Sequence, residues 1–190
     1  WLPLQATGGL ADGFTYTGDV ELDTEVAHEI EVGADYSSGR LTLSPRLFYR
    51  EVDDYIQGVP NPLMPAQMFA GMMNPDAPAP LRFANVEAML YGFDMDWSYR
   101  LSDSLALRGI VNYVRGERDD INDNLYRIAP LNTTVALDYS TGNWGASLEA
   151  VLVAEQDDVS ETNAEPETDG YELLNLAAWW SVTPGLRLSA

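Results

Sequence analysis

The feature that most constrains this fold is residues 83–118, FANVEAMLYGFDMDWSYRLSDSLALRGIVNYVRGER, two long alternating runs around the turn Leu101-Ser102-Asp103-Ser104. In the first run Met89, Tyr91, Phe93, Met95, Trp97 and Tyr99 share one parity; Ala88, Gly92, Asp94, Asp96, Ser98 and Arg100 share the other, with Leu90 the exception. In the second, Leu105, Leu107, Gly109, Val111 and Tyr113 alternate with Ser104, Ala106, Arg108, Ile110 and Asn112. A period of two places each set on one face of a strand. The runs are about 13 to 18 residues long, against about 5 to 6 for an ordinary strand. A tilted strand that crosses a bilayer and projects past it needs such length.

The other long segments repeat the plan. Residues 1–24 are rich in Gly, Thr and Asp and read as a loop with a short strand near residues 14–17. From Glu25, Val26, His28, Ile30, Val32, Ala34 and Tyr36 oppose Glu29, Glu31, Gly33 and Asp35. Ser37-Ser38-Gly39 turns the chain, Gly39 supplying a positive φ. Leu41, Leu43, Leu47 and Tyr49 then oppose Thr42, Ser44, Arg46 and Arg50, and Pro45 removes a ladder donor, which predicts a bulge or weak pairing there. Residues 53–82 read as a long connection rich in proline and methionine, and residues 116–127 and 156–169 as polar, acidic loops. Between those two loops lie strands turned by Thr141-Gly142-Asn143; Thr183-Pro184-Gly185 turns the last pair. Connections therefore alternate short and long, which places all the long loops at one end of an up-and-down meander.

The expected fold is all-β: a transmembrane antiparallel up-and-down β-barrel, of which this chain supplies about eight strands. Glu29, Glu31, Asp35, Arg46, Arg50, Asp94, Asp96, Arg100, Arg108 and Asp138 share the polar parity. Arg or Lys facing hydrocarbon at the midplane costs about 2–4 kcal/mol, so this parity faces a wet lumen. Tyr36, Tyr49, Trp97, Tyr99, Tyr113, Tyr139 and Trp144 sit near strand ends on the apolar parity, where interfacial girdles belong. A soluble lipocalin-like barrel would invert the pattern and use shorter strands.

Composition narrows the rest. Thirty acidic against ten basic residues give a net charge of -20, which argues against a nucleic-acid partner because phosphate contacts need Lys and Arg. There is no cysteine, hence no disulfide or thiolate metal site within the chain. No run of about 18 apolar residues offers a transmembrane helix. Trp1 falls in a loop-like stretch and Ala190 in a strand-like one, so residues 1–190 are expected to be part of a longer barrel.

Residues 2–36, LPLQATGGLADGFTYTGDVELDTEVAHEIEVGADY, resemble the loop and strand of TonB-dependent outer-membrane receptors, with a recurrent GN-x-x-L-x-P-E … E-x-G segment. It reads here Gly18-Asp19-Val20-Glu21-Leu22-Asp23-Thr24-Glu25 and Glu31-Val32-Gly33, with Thr24 in place of the usual Pro. FYREVDDYIQG and the run from Phe83 onward resemble the family's following hairpins, and Tyr126-Arg127-Ile128-Ala129-Pro130-Leu131 resembles its I-x-P-L/P entry into a descending strand. The resemblance implies part of a barrel of about 22 strands in the bacterial outer membrane. It implies outer-membrane lipid and lipopolysaccharide around the barrel. It also implies a plug domain before residue 1 that meets the TonB complex, and further strands after Ala190. Residues 55–60, YIQGVP, with the Met-rich stretch beyond them and FANVEAMLYG, are similar to the copper-receptor branch.

Met64, Met68, Met72 and Met73 are the candidate metal-contacting residues. Spacing of four places three thioethers on one side if the segment is helical, and soft sulfur suits Cu(I). The alternative is that they pack the loop against its neighbours, which Met does well. Asp53, Asp54, Glu117, Asp119, Asp120, Asp123, Asp157, Asp158, Glu165 and Asp169 make the loops acidic. They read either as a solvated face bridged by divalent cations or as a calcium site; the pattern at residues 119–123 lacks the calcium loop's Gly and distal Glu. No resident cofactor is expected beyond such loop-bound cations. His28 reads as an interfacial residue, and Asp94 and Asp96 as lumen charges. No nucleophile–base set or phosphate-binding glycine motif is present, so no enzyme is expected. The function expected is active uptake of a scarce ligand, a metal ion or metal chelate with copper favoured. The alternatives are a ferric-siderophore receptor, a passive porin-like barrel or a structural surface barrel.

Overall fold

A computed structural model of the chain describes residues 5–6, 14, 16–61 and 80–190. The described residues form one twelve-stranded sheet with no helix. In chain order the strands are β1 (Gln5–Ala6), β2 (Tyr16–Thr17), β3 (Val26–Gly33), β4 (Tyr36–Ser38), β5 (Leu41–Pro60) and β6 (Leu81–Arg100). They continue as β7 (Leu105–Arg118), β8 (Asp123–Asn124), β9 (Asn132–Ser140), β10 (Trp144–Val153), β11 (Tyr171–Thr183) and β12 (Leu186–Ser189). Taking β3 and β4 as one interrupted strand, seven long strands and the short β12 follow one another in antiparallel order, as the alternation of loop lengths requires. No crossover connection joins them, which is the up-and-down meander of an outer-membrane barrel wall.

The register sorts side chains by face. Tyr49, Tyr91 and Arg115 form one cross-strand row, Leu47, Phe93 and Tyr113 another, and Trp144 stands opposite Trp180. These rows belong to the apolar face, whose Ile30, Val32, Leu47, Leu148, Leu174 and Leu176 are exposed. Tyr36, Trp97, Tyr99, Tyr139, Trp144 and Trp180 ring this face near the short turns, and Tyr49, Tyr91 and Tyr113 ring it near the long loops. From Tyr91 to Tyr99 a strand rises about 26 Å, or about 20 Å along the barrel axis at the usual tilt, close to an outer membrane's apolar band.

The four short turns lie at one end and are laced together. Arg100 N donates to Arg40 O (2.8 Å), Ser140 N to Ser104 O (2.9 Å) and Ser181 N to Asn143 O (2.7 Å). Gly39 has φ of 55°, as its turn demands. Pro45 keeps an unbroken register with Met95 on its β6 side; on the other side the ladder lapses at residues 34–35, between β3 and β4, where Ala34 N still donates to Pro45 O at 3.1 Å.

Two boundaries differ from expectation. The connection read as residues 53–82 is shorter, because β5 runs on to Pro60 and β6 begins at Leu81. The polar pair Asp53-Asp54 ends no strand; it is a bulge, with the register shifting between Val52 and Tyr55 and Asp54 at φ 58°. Asn85 holds it by donating from Nδ2 to Asp54 O at 2.6 Å. Likewise β7 continues through Gly116 to Arg118, and β8 folds back on its end, Glu117 opposite Asn124. The expected short strand near residues 14–17 is β2, which runs parallel to the start of β6.

Candidate functional site

The polar parity forms an inner wall braced by arginine. Arg46 pairs with Asp35 (2.7 Å), Arg50 with Glu29, and Arg108 with Asp138 (2.8 Å) and Glu149 (3.6 Å). Asn175 donates to the same Glu149 (3.2 Å), and Asn112 to Asn132 (3.0 Å). Arg108 thus links β7, β9 and β10 across the lumen face, in the planar geometry a guanidinium favours. Asp94 stands opposite Arg46 and Asn112 in register. At the turn end Arg187 lies over the Trp179 ring, 4.3 Å from its centroid. Glu149 and Trp179 were not foreseen; both fall on the polar parity and could have been found from it.

At the opposite end the β7–β9 connection folds inward onto this wall. Val52, Ala88 and Leu125 form the buried cluster, with Tyr55, Leu90 and Ile128 around them. Leu125 and Ile128 close on Gly116, where any Cβ would lie 2.8 Å and 2.9 Å from them. The β7–β9 connection therefore caps the mouth instead of standing in solvent, and its apolar residues explain why.

Five acidic residues of the loops, Glu117, Asp120, Asp123, Asp158 and Glu165, are internal ties. Asp123 accepts from Ser160 Oγ (2.9 Å), Glu161 N (2.8 Å) and Thr162 N (3.1 Å). Burial alone would push the Asp123 carboxyl up, but these hydrogen bonds outweigh it and hold it below the usual carboxylate range. Arg118 donates to Asp120 and holds that carboxyl low as well. Arg115 pairs with Glu117 (2.7 Å) and with Asp158. Glu165 accepts from Ser160 N (2.9 Å) and Arg127 N (3.1 Å). Between β7 and the β10–β11 loop lies a cleft of about 250 Å³, lined by Tyr113, Ile128, Pro130, Leu131 and Gln156 among others.

Met64, Met68, Met72 and Met73 lie outside the described residues. Among the described residues, no three His, Asp or Glu side chains are placed to hold one ion together, and Asp123 of the calcium-like stretch is engaged by the 160–162 segment. His28 lies on the outer face near the loop end, its Nε2 3.8 Å from Asp53 Oδ2.

A polar inner face and an apolar girdled outer face on long antiparallel strands are the features of an outer-membrane β-barrel wall. The family model for the TonB-dependent receptor-like β-barrel matches residues 3–190, and the chain belongs to that family. It is a family of receptors, and its barrel lies in the bacterial outer membrane. Solved structures agree in fold. The copper transporter OprC is 22% identical with a TM-score of 0.77, covering 90% of this chain and 25% of that one. A ferric enterobactin receptor, PfeA from Pseudomonas aeruginosa, is 18% identical with a TM-score of 0.68, covering 93% and 26%. The ferric yersiniabactin uptake receptor FyuA from Yersinia pestis is 15% identical with a TM-score of 0.62, covering 87% and 24%. The chain thus spans about a quarter of the structures it resembles. No curated protein sequence matches it.

Proposed function

We propose that the chain is part of a receptor that actively imports a scarce ligand, and that the ligand is a metal ion or metal chelate, with copper favoured. The observation that carries the receptor reading is the family match over residues 3–190. In the intact protein an N-terminal plug domain would fill the lumen against the arginine-braced wall and meet the TonB complex. Outer-membrane lipid and lipopolysaccharide would contact the girdled face, and divalent cations would bridge the acidic loops. Copper rests on Met64, Met68, Met72 and Met73, whose thioethers select Cu(I) over harder ions. The likeness to a protein named as a copper transporter supports the same choice. The site would be completed from outside residues 62–79, which hold neither imidazole nor thiolate.

Cellular copper uptake by the intact receptor tests this, wild type against a variant with all four methionines changed to Leu, which keeps volume and apolarity but removes sulfur. A severalfold loss of copper uptake with normal barrel assembly is expected. Unchanged uptake would leave the methionines as packing and bring forward the second reading, a ferric-siderophore receptor, which the likeness to PfeA and FyuA favours.

A further inference from the structure

The β7–β9 connection and the β10–β11 loop converge on two residues of β5. Gln57 and Gly58 lie just before Pro60, where the chain leaves β5 for the methionine-bearing segment. Gln57 is 4% exposed and its Oε1 accepts from Tyr126 N of the β7–β9 connection at 2.9 Å. Gly58 O accepts from Nδ2 of Asn163, a residue of the β10–β11 loop that is 3% exposed, at 2.7 Å. On another side Tyr16 of β2 sits so close that a Cβ on Gly58 would lie 2.7 Å from its ring. The two loops are also fastened to each other, through Asp123 on residues 160–162 and through Asn124 Nδ2 on Val159 O (3.1 Å).

We propose that Gln57, Gly58 and Asn163 form a coupling node through which the acidic β10–β11 loop positions the end of β5.

Two features set the node apart from an ordinary loop contact. It is buried, so water does not compensate a lost bond there. It is also incompletely satisfied: Gln57 Nε2 and Asn163 Oδ1 are both buried without a hydrogen-bond partner. The amide orientations leave no choice, since Tyr126 N can only donate and Gly58 O can only accept. Beside the node Ala164 has φ 50°. The node therefore joins the β10–β11 loop to the end of β5, and a change at either partner reaches the other.

Hydrogen exchange on the intact receptor in detergent tests the coupling from both sides. Asn163→Leu removes the donor at similar volume; Gly58→Ala strikes the node through Tyr16 without touching the β10–β11 loop. Coupling is reciprocal. Asn163→Leu is expected to speed exchange at the Ile56 and Tyr126 amides, and Gly58→Ala at the Ser160, Glu161 and Thr162 amides, each severalfold. Changes confined to the mutated segment in both variants overturn the node.

Discussion

Asp123 shows how one residue changes meaning between sequence and structure. By sequence it belongs to an acidic run; in the structure its carboxylate closes the cap by accepting from a segment 37–39 residues away. Hydrogen bonds to a charged acceptor contribute about 1.5–3 kcal/mol, so Asp123→Ala is expected to lower the opening free energy of residues 158–165 by about 2 kcal/mol, read by hydrogen exchange. Its pH dependence has a definite sign. The folded carboxyl is held below its unfolded value, so the unfolded state binds the proton first. The contribution is fully present above the ordinary carboxylate range and is lost as pH falls through the lowered folded value. Cap protection in wild type should therefore fall steeply below that range, while Asp123→Asn should start lower and lose this part of the slope. An unchanged slope in Asp123→Asn would remove the residue from the clasp.

Among the strands, the rule is alternation modified by close approach. Directly cross-strand, Phe48 stands opposite Gly92, Trp97 opposite Gly109 and Trp179 opposite Gly145. In each pair the ring covers the place where a Cβ would stand, at 2.5 Å, 2.5 Å and 2.7 Å. These glycines let an aromatic lie flat on the sheet, which shields the backbone that glycine leaves bare. At Gly92 the backbone is close as well, with Tyr113 O against the place a Cβ would take. Gly92→Val is expected to cost about 1–3 kcal/mol through forced overpacking, seen as a lower temperature for loss of the SDS-resistant folded band of the intact receptor. A variant as stable as wild type would show that both Phe48 and the β7 backbone at Tyr113 yield freely.

For the molecule as a whole, the separation of turns and loops fixes orientation. The short turns are laced together at one end, and Gly58, Asp123 and Asn163 meet at the other. In an outer-membrane barrel the long loops face outward. Because the chain has no cysteine, introduced ones report cleanly for it. A membrane-impermeant maleimide on intact cells should label Asn122→Cys in the cap and leave Ser38→Cys at the turn end unlabelled. Labelling of position 38 alone would invert the barrel.

Alternation was legible because a strand's period is local: each residue's parity states its face, and charge against hydrocarbon states which face is wet. That reasoning yields the spanning strands, the girdles, the turns and the arginine-rich inner wall from sequence by itself. It could not yield the bulge at Asp54, because a bulge looks like a strand end until Asn85, 31 residues away, holds it in the sheet. Nor could it yield the cap. Asn163 and Gly58 are 105 residues apart, and no periodicity links them. Local chemistry determined which way each residue of a strand faces. Only the tertiary structure decided which loops meet, because the curvature and register of the whole sheet bring their ends to one mouth.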